Sequence, residues 1–483
     1  MGKGTFIGID FGTTNTSVVQ IISDEYGKKI LHLGEEGEYP FSSIVAVPKK
    51  NGTMLFGREV KRRRLELSGE YDIIYSMKSY LGMDEEFIFG NKRYTPTDIT
   101  AAFLKHIKDY IKTDHNIDIE EATFAIPIDF TPEARRELNR AAKAANIDIN
   151  GFVSEPTAAY IANKNDAKAY SKIMVIDWGG GTIDISVLDL KGTGIYENSI
   201  HGAKIGGDDI DIELAYRIHS KLVNQTGINL NLDEMDSAQK DNIISRCENL
   251  KIEFSDYYDT NDILLRNYGE FGTKSLSIDY DYFEEIVSPI IKNKVLKAIH
   301  TAMEQANTSK AGLDAIILVG GSCGLKPFSN IIINLFGIDK IIAPEKPQWS
   351  VAIGAALVDI IGDNYYLNDD VGVLLSNDNV YTIFKKGEDK IGSAISSIVF
   401  SLTEDAPNAH FIFTNSEKTI DYGSVNVQTK GFLKEKLILS AFIEKDHIAT
   451  IKIANPFKGN EYFKKMDINK LKFYYDLSEV DDI

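Results

Sequence analysis

Two stretches of this chain are the same strand–turn–strand unit written twice, and no other feature constrains the fold as much. The first runs Ile7-Gly8-Ile9-Asp10-Phe11-Gly12-Thr13-Thr14-Asn15-Thr16-Ser17-Val18-Val19. The second runs Val175-Ile176-Asp177-Trp178-Gly179-Gly180-Gly181-Thr182-Ile183-Asp184-Ile185-Ser186-Val187. Each is an apolar strand ending in an aspartate, then a tight Gly/Thr turn, then a returning strand of alternating apolar residues. Glycine lets such a turn bring its backbone N–H groups close to phosphate oxygens. An aspartate at the strand end can hold a Mg2+ that keeps most of its water. Two copies, each opening a half of similar size, predict a duplicated α/β fold that grips one nucleotide between its lobes.

The bulk numbers narrow the alternatives. A chain of 483 residues with 43% hydrophobic and 10% aromatic residues has material for large packed cores. Its formal net charge of -18 argues against a nucleic-acid partner, whose phosphates must be neutralised. The run Lys61-Arg62-Arg63-Arg64 reads as a solvated helix face. The two cysteines, Cys247 and Cys323, lie in apolar segments and read as buried free thiols of a reducing compartment. No apolar run is long enough to span a bilayer, and the chain enters its first strand almost at once. Gly2 invites a lipidation reading, but Phe6 stands where that motif needs Ser or Thr. The expectation is a cytoplasmic protein with no membrane partner.

Residues 1–363 alternate strand-like and helix-like segments. Thr97 to Lys112 has helical periodicity through Ile99, Phe103, Ile107 and Ile111. Thr123 to Pro127 reads as a buried strand, and Thr131-Pro132-Glu133 as a helix start with Thr as cap. Helices are predicted near Lys326 to Phe336 and Ser350 to Ile361, the latter carrying the small residues Ala352, Gly354, Ala355 and Ala356. Residues 364–370 read as an irregular acidic linker. Residues 371–483 carry short alternating segments, with a hairpin around Lys445-Asp446, and predict a small sandwich-like all-β domain.

Several residues carry candidate chemistry. Asp10 and Asp177 are the metal anchors, although a strand-end Asp can simply cap a turn. Gly12, Thr13, Thr14 and Asn15 in the first hairpin, and Gly179, Gly180, Gly181 and Thr182 in the second, are the phosphate contacts. Glu155, in Glu155-Pro156-Thr157-Ala158-Ala159, could orient an attacking water or serve only as a partner of the helix dipole. Asp184 either turns back toward the phosphates or faces solvent. Glu248, Lys251 and Ser255 share a helix face, suited to ribose and adenine or to a solvated Glu–Lys pair. Gly320-Gly321-Ser322 offers flat backbone for a base. No zinc-ligand spacing, nucleophile elbow or Walker A pattern is present.

These motifs resemble the seventy-kilodalton heat-shock chaperones of DnaK type, within the actin, sugar-kinase and chaperone ATPase superfamily. The resemblance is carried in order by Gly8 to Asn15, Glu155 to Ala159, Asp177 to Thr182, Ile205-Gly206-Gly207-Asp208-Asp209 and Val319-Gly320-Gly321-Ser322. The domain after the linker resembles the family's peptide-binding β domain more faintly. The resemblance implies ATP or ADP with Mg2+ in a cleft, slow ATP hydrolysis, and clients that are unfolded or extended polypeptides, with a co-chaperone or exchange factor as further partner. It implies that Asp10 and Asp177 hold the metal. Lys78, by itself a surface lysine, would reach the γ-phosphate and act with Glu155, Asp184 and Thr182 in catalysis. Gly206 and Gly207 join the nucleotide contacts, and Glu248, Lys251 and Ser255 become the adenosine helix. Pro127 and Arg135 match residues that relay nucleotide state.

Departures from the pattern carry their own expectations. Gly324 stands where an arginine usually stacks on adenine, and Gln348 where a late aspartate is usual. The stretch between Lys78 and Pro127 is short, which implies a trimmed subdomain. The linker lacks the usual leucine-rich run, and the sequence to Ile483 leaves no room for a helical lid. The rival readings are an actin-like filament-forming ATPase, a small-molecule kinase of the same superfamily, and a nucleotide-gated binding module that does not hydrolyse.

Overall fold

The computed structural model describes residues 4–25, 27–37, 39–50, 52–89, 92–167, 170–256, 259–362, 364–459 and 462–477. The chain divides into two units. The first comprises Met1–Leu190 and Glu197–Ile360, the second Lys191–Tyr196 and Ile361–Ile483.

The first unit is one pattern used twice. Its first half contains strands β1 (Gly4–Phe11), β2 (Asn15–Asp24) and β3 (Gly27–His32), and helices α1 (Gly57–Leu67) and α2 (Pro96–His115). Strand β4 (Glu121–Ile126), helix α3 (Pro132–Ala144), strand β5 (Asp148–Ser154) and helix α4 (Glu155–Ala162) complete it. The second half opens with β6 (Lys172–Trp178), β7 (Ile183–Lys191) and β8 (Gly194–Ala203). Helices α5 (Gly207–Thr226), α6 (Ser237–Asp256), α7 (Tyr280–Ile290) and α8 (Leu296–Gln305) follow. The half ends with β9 (Ala315–Val319), α9 (Lys326–Phe336), β10 (Ile341–Ile342) and α10 (Ser350–Ile361). The sheet orders correspond strand for strand: β5-β4-β1-β2-β3 and β10-β9-β6-β7-β8. In each, an antiparallel hairpin is extended by two parallel strands.

The sequence specifies these elements locally. Thr95 caps α2 in a reciprocal box with Asp98, Thr131 caps α3 ahead of Pro132, and Ser154 caps α4 ahead of Pro156. Each lobe has its own core. Ile9, Phe11, Phe41, Phe103 and Phe124 anchor the first, and Trp178, Ile185, Phe254, Phe283 and Phe328 the second. The lobes meet where side chains are smallest. A Cβ at Gly354 on α10 would lie 1.9 Å from the Ala158 carbonyl oxygen on α4, and one at Gly8 on β1 would lie 2.1 Å from the Ala352 carbonyl oxygen. The small residues expected in the last helix are therefore the crossing point of the two halves.

The second unit is β-rich, and its only helix among the described residues is a single 3-10 turn at Pro456–Lys458. Two four-stranded antiparallel sheets make it. One orders Val380–Phe384, Val371–Leu374, Asn408–Thr414 and Asp421–Gln428. The other orders Ala394–Ser401, Lys436–Ile443, Ala449–Ala454 and Phe463–Ile468. The hairpin expected around Lys445-Asp446 joins Lys436–Ile443 to Ala449–Ala454. Two features differ from expectation. The irregular linker contains a strand, Tyr365–Leu367, paired with Phe473–Asp476. The unit also takes in Lys191–Tyr196, where Gly194 and Ile195 pair with Asp476 and Tyr475. Pairing between segments so far apart in sequence leaves no local signal. Among the described residues no helix is long and apolar enough to cross a membrane.

Candidate active site

The two hairpins face one another. Along each, the strand-end aspartate pairs with the residue seven positions on: Asp10 with Ser17, and Asp177 with Asp184. The duplication is thus exact in register and asymmetric in chemistry, because only the second copy carries a second carboxylate. The turns are held by their own backbone. Gly12 N–H donates to the Asp10 carbonyl at 3.1 Å and Gly179 N–H to the Thr182 carbonyl at 2.9 Å. A Cβ at Gly12 would lie 2.1 Å from the Asn15 carbonyl oxygen, so the turn itself demands glycine there. The turns also touch: a Cβ at Gly180 would sit 2.6 Å from Thr14 Cγ2.

A cleft of about 710 Å3 opens beside these turns. Its walls include Asp10, Gly12, Thr13, Thr14, Asn15, Lys78, Glu155, Asp177, Gly179, Gly180, Thr182, Asp184, Gly207, Glu248, Lys251, Ser255, Gly320, Gly321 and Ser322. Residues from both halves of the sequence therefore come together as expected. Gly181 and Gly206 do not line the cleft. Gly206 packs behind it, where a Cβ would lie 2.1 Å from the Gly180 carbonyl oxygen. The next two amides, Gly207 and Asp208 N–H, donate to the Gly179 and Gly180 carbonyls and so brace the second turn.

Lys78 is not a surface lysine. It lies on a 3-10 turn, Met77–Tyr80, entered through Ser76 in the left-handed region at φ 57°. Its side chain is 6% exposed, and Nζ donates to Glu155 Oε1 at 2.7 Å. Three more carboxylates sit in the same field. Burial, then the Glu155 charge, raises Asp10 to about 7, against the pull of Lys78. Burial and Glu155 raise Asp184 to about 6, with Lys78 and a hydrogen bond from Thr182 opposing. Burial together with Asp10, Glu155 and Asp184 pushes Asp177 well above the carboxylate range. Four carboxylates against one ammonium is a donor set short of positive charge, which a divalent cation corrects. Among the described residues no three His, Cys, Asp or Glu side chains converge to cage an ion. Two aspartates with water suit Mg2+. Gly320, at φ +81°, leaves room for Asp177: a Cβ there would lie 2.4 Å from Asp177 Oδ1.

At the other end of the cleft, Glu248 and Lys251 do not form the solvated pair their spacing permits. Lys251 Nζ bonds Asp211 Oδ2 at 2.7 Å and the Gly207 carbonyl at 2.9 Å. Glu248 accepts from Lys61 Nζ at 2.9 Å. Ser322 Oγ donates to the Gly179 carbonyl at 2.8 Å, which ties the base-side glycines to the phosphate turn. Gly324 lines the cleft, and a Cβ there would meet nothing within 4 Å. Gln348 also lines it, and its backbone carbonyl accepts from Ser17 Oγ at 2.8 Å.

The basic run on α1 corrects a sequence expectation. Arg62 and Arg63 are exposed and form ion pairs with Glu36, Glu59 and Glu66. Lys61 instead reaches into the cleft and joins the first lobe to Glu248 and to Asp208, at 3.3 Å, of the second. The helix is kinked at Arg63, and Asp241 of α6 caps the amides that follow, accepting from Leu65 N–H at 2.6 Å and Glu66 N–H at 3.0 Å. Arg58, stacked over Tyr39 at 3.8 Å, lines the cleft as well. Charge pattern alone cannot separate Lys61 from its three neighbours, because the difference is where the helix face points.

Comparison with known proteins agrees with this geometry. A sequence model described as Hsp70 protein matches residues 6–366, three quarters of the chain. The chain belongs to the Hsp70 family. Chaperone protein DnaK of Mycoplasmopsis agalactiae is 29% identical over 363 residues, covering 74% of this chain and 58% of that relative. The family match ends at residue 366, so most of the β-rich unit lies beyond it. Of the two residues for which the resemblance implies a relay role, Pro127 lines the cleft, whereas Arg135 lies on α3 with Nη1 donating to the Phe130 carbonyl at 3.0 Å.

Proposed function

We propose that this Hsp70-family chain binds ATP with Mg2+ in the cleft, hydrolyses it slowly, and uses the change to govern binding of extended polypeptide by its β-rich unit. The observation that carries the reading is the buried Lys78–Glu155 pair set among Asp10, Asp177 and Asp184. In it, Asp10 and Asp177 would hold hydrated Mg2+, whose charge offsets that of the phosphates. Thr13, Thr14 and Thr182, with the glycine turns, would hold the phosphate oxygens. Glu155, with Asp184 beside it, would orient water, and Lys78 would neutralise charge that develops on the departing phosphate. Such catalysis is positioning plus electrostatics. Glu248, Lys251 and Ser255 with Gly320, Gly321 and Ser322 would receive the nucleoside. On the β-rich unit, Phe432, Leu433 and Phe457 stand 41%, 53% and 44% exposed, apolar surface of the kind an extended client covers.

The test is phosphate release from ATP and Mg2+, with and without a permanently unfolded polypeptide. The expected result is slow release that rises when the polypeptide is added. Release only when a small acceptor is present would favour the kinase reading, and ATP-dependent sedimentation would favour the filament. Binding without release would favour the non-hydrolysing module.

Lys61 gives a separate expectation. Burial alone would raise the Glu248 carboxyl, but Lys61 and Lys251 hold it down to about 2. A carboxyl lowered in the folded state contributes stability above its ordinary pKa of 4.5 and loses that contribution as pH falls toward about 2. At neutral pH the bridge is therefore fully formed. Lys61→Ala should speed release of a fluorescent ADP analogue by about tenfold, since removing one partner of a shielded charge pair acts mainly on the off-rate. An unchanged off-rate would show that the bridge does not hold the cleft closed.

A further inference from the structure

We propose that Glu197 is a positioning residue for Glu155, a role that rests on the hydrolytic reading of the cleft. Glu197 lies on β8, far from Glu155 in sequence, and does not line the cleft. Its contacts converge on the first turn of the helix that Glu155 opens. Thr157 N–H donates to Ser154 Oγ at 3.3 Å, the cap of α4. Ser154 Oγ then donates its own proton to Glu197 Oε1, and Thr157 Oγ1 donates to the same oxygen at 2.9 Å. Ser154 and Thr157 are 8% and 1% exposed, so water does not substitute for these bonds.

A Ser cap needs only its oxygen to satisfy a helix amide. Here the hydroxyl proton is also claimed, which removes the rotor freedom of the cap. Burial raises the Glu197 carboxyl, and the bonds from the two hydroxyls offset only part of that shift. A negative charge at a helix N-terminus is favourable in itself. Glu155 is at the same terminus and is neutralised by Lys78. Glu197 thus fixes the first turn from beneath, while Lys78 fixes the Glu155 carboxylate from the cleft side. A carboxylate that orients water tolerates little displacement, because misplacement by an ångström costs about 100-fold in rate.

The experiment compares Glu197→Ala and Glu197→Gln by single-turnover phosphate release, ATP affinity and amide hydrogen exchange. Glu197→Ala should slow release by about tenfold or more with ATP affinity unchanged, and should expose the Thr157 amide to exchange while other helices keep their protection. Glu197→Gln keeps an acceptor oxygen and should recover most of the rate and the protection. In a Glu155→Gln background, Glu197→Ala should slow release no further, since positioning residues act through the group they position. Equal slowing with and without Glu155, or a loss of ATP affinity matching the loss of rate, would overturn the proposal. If the unmodified protein releases no phosphate, the hydrolytic reading fails by itself. Exchange at Thr157 still decides whether Glu197 holds the turn, and unchanged protection in both variants would overturn the role.

Discussion

Lys78→Ala is expected to lower single-turnover phosphate release by about 100- to 1000-fold, the loss typical of removing one preorganised donor from a transition-state site. ATP affinity should change by only a few fold. The lysine is 6% exposed and its ammonium acts on Glu155, Asp10, Asp177 and Asp184 together. Removing it takes charge neutralisation from the reacting end of the cleft. It also removes the 2.7 Å bond that holds the Glu155 carboxylate in place. The end of the cleft proposed to receive the nucleoside, with Glu248, Lys251 and the glycines after β9, is untouched, which is why binding should survive. Lys78→Arg should not rescue the rate, because a planar guanidinium does not fit the single 2.7 Å bond that Nζ makes to Glu155. Release at the unmodified rate in Lys78→Ala would remove this residue from the chemistry.

Gly354→Val is expected to cost about 3 kcal/mol or more, at or beyond the upper end of ordinary overpacking. A Cβ there meets the Ala158 carbonyl at 1.9 Å, its carbon at 2.4 Å and its Cα at 2.7 Å, all backbone and so unable to swing aside. Relief requires α4 and α10 to separate. Because α4 begins with Glu155, the same separation should slow phosphate release in whatever fraction still folds. Gly69→Ala is the control: a Cβ there meets nothing, and stability should stay within about 0.5 kcal/mol. Chemical denaturation of the three proteins measures both effects. Equal midpoints for Gly354→Val and the unmodified protein would mean that the lobes do not meet through this helix crossing.

How much of this was legible beforehand follows from the range of the signal. The paired hairpins, the cap at Thr131 and the helices Lys326–Phe336 and Ser350–Ile361 are local patterns, and the structure has them where periodicity and the capping residue put them. The small residues of α10 correctly foretold close packing but not its partner. Glu248 and Lys251 were rightly placed on one helix, yet their partners Lys61 and Asp211 belong to other elements that spacing along α6 cannot reveal. Lys78 was recognisable only through resemblance, since nothing in Met77-Lys78-Ser79-Tyr80 announces burial. Glu197 was missed altogether, because a lone Glu on a strand gives no sign that two hydroxyls from a distant helix start will meet it.

The most direct test of the central claim is calorimetric titration of ATP into the protein with and without Mg2+, repeated with Asp10→Asn and Asp177→Asn combined. The account predicts one tight site that requires Mg2+, and loss of that requirement when both carboxylates are replaced. No heat in the unmodified protein, or an equal Mg2+ requirement after both replacements, would contradict it.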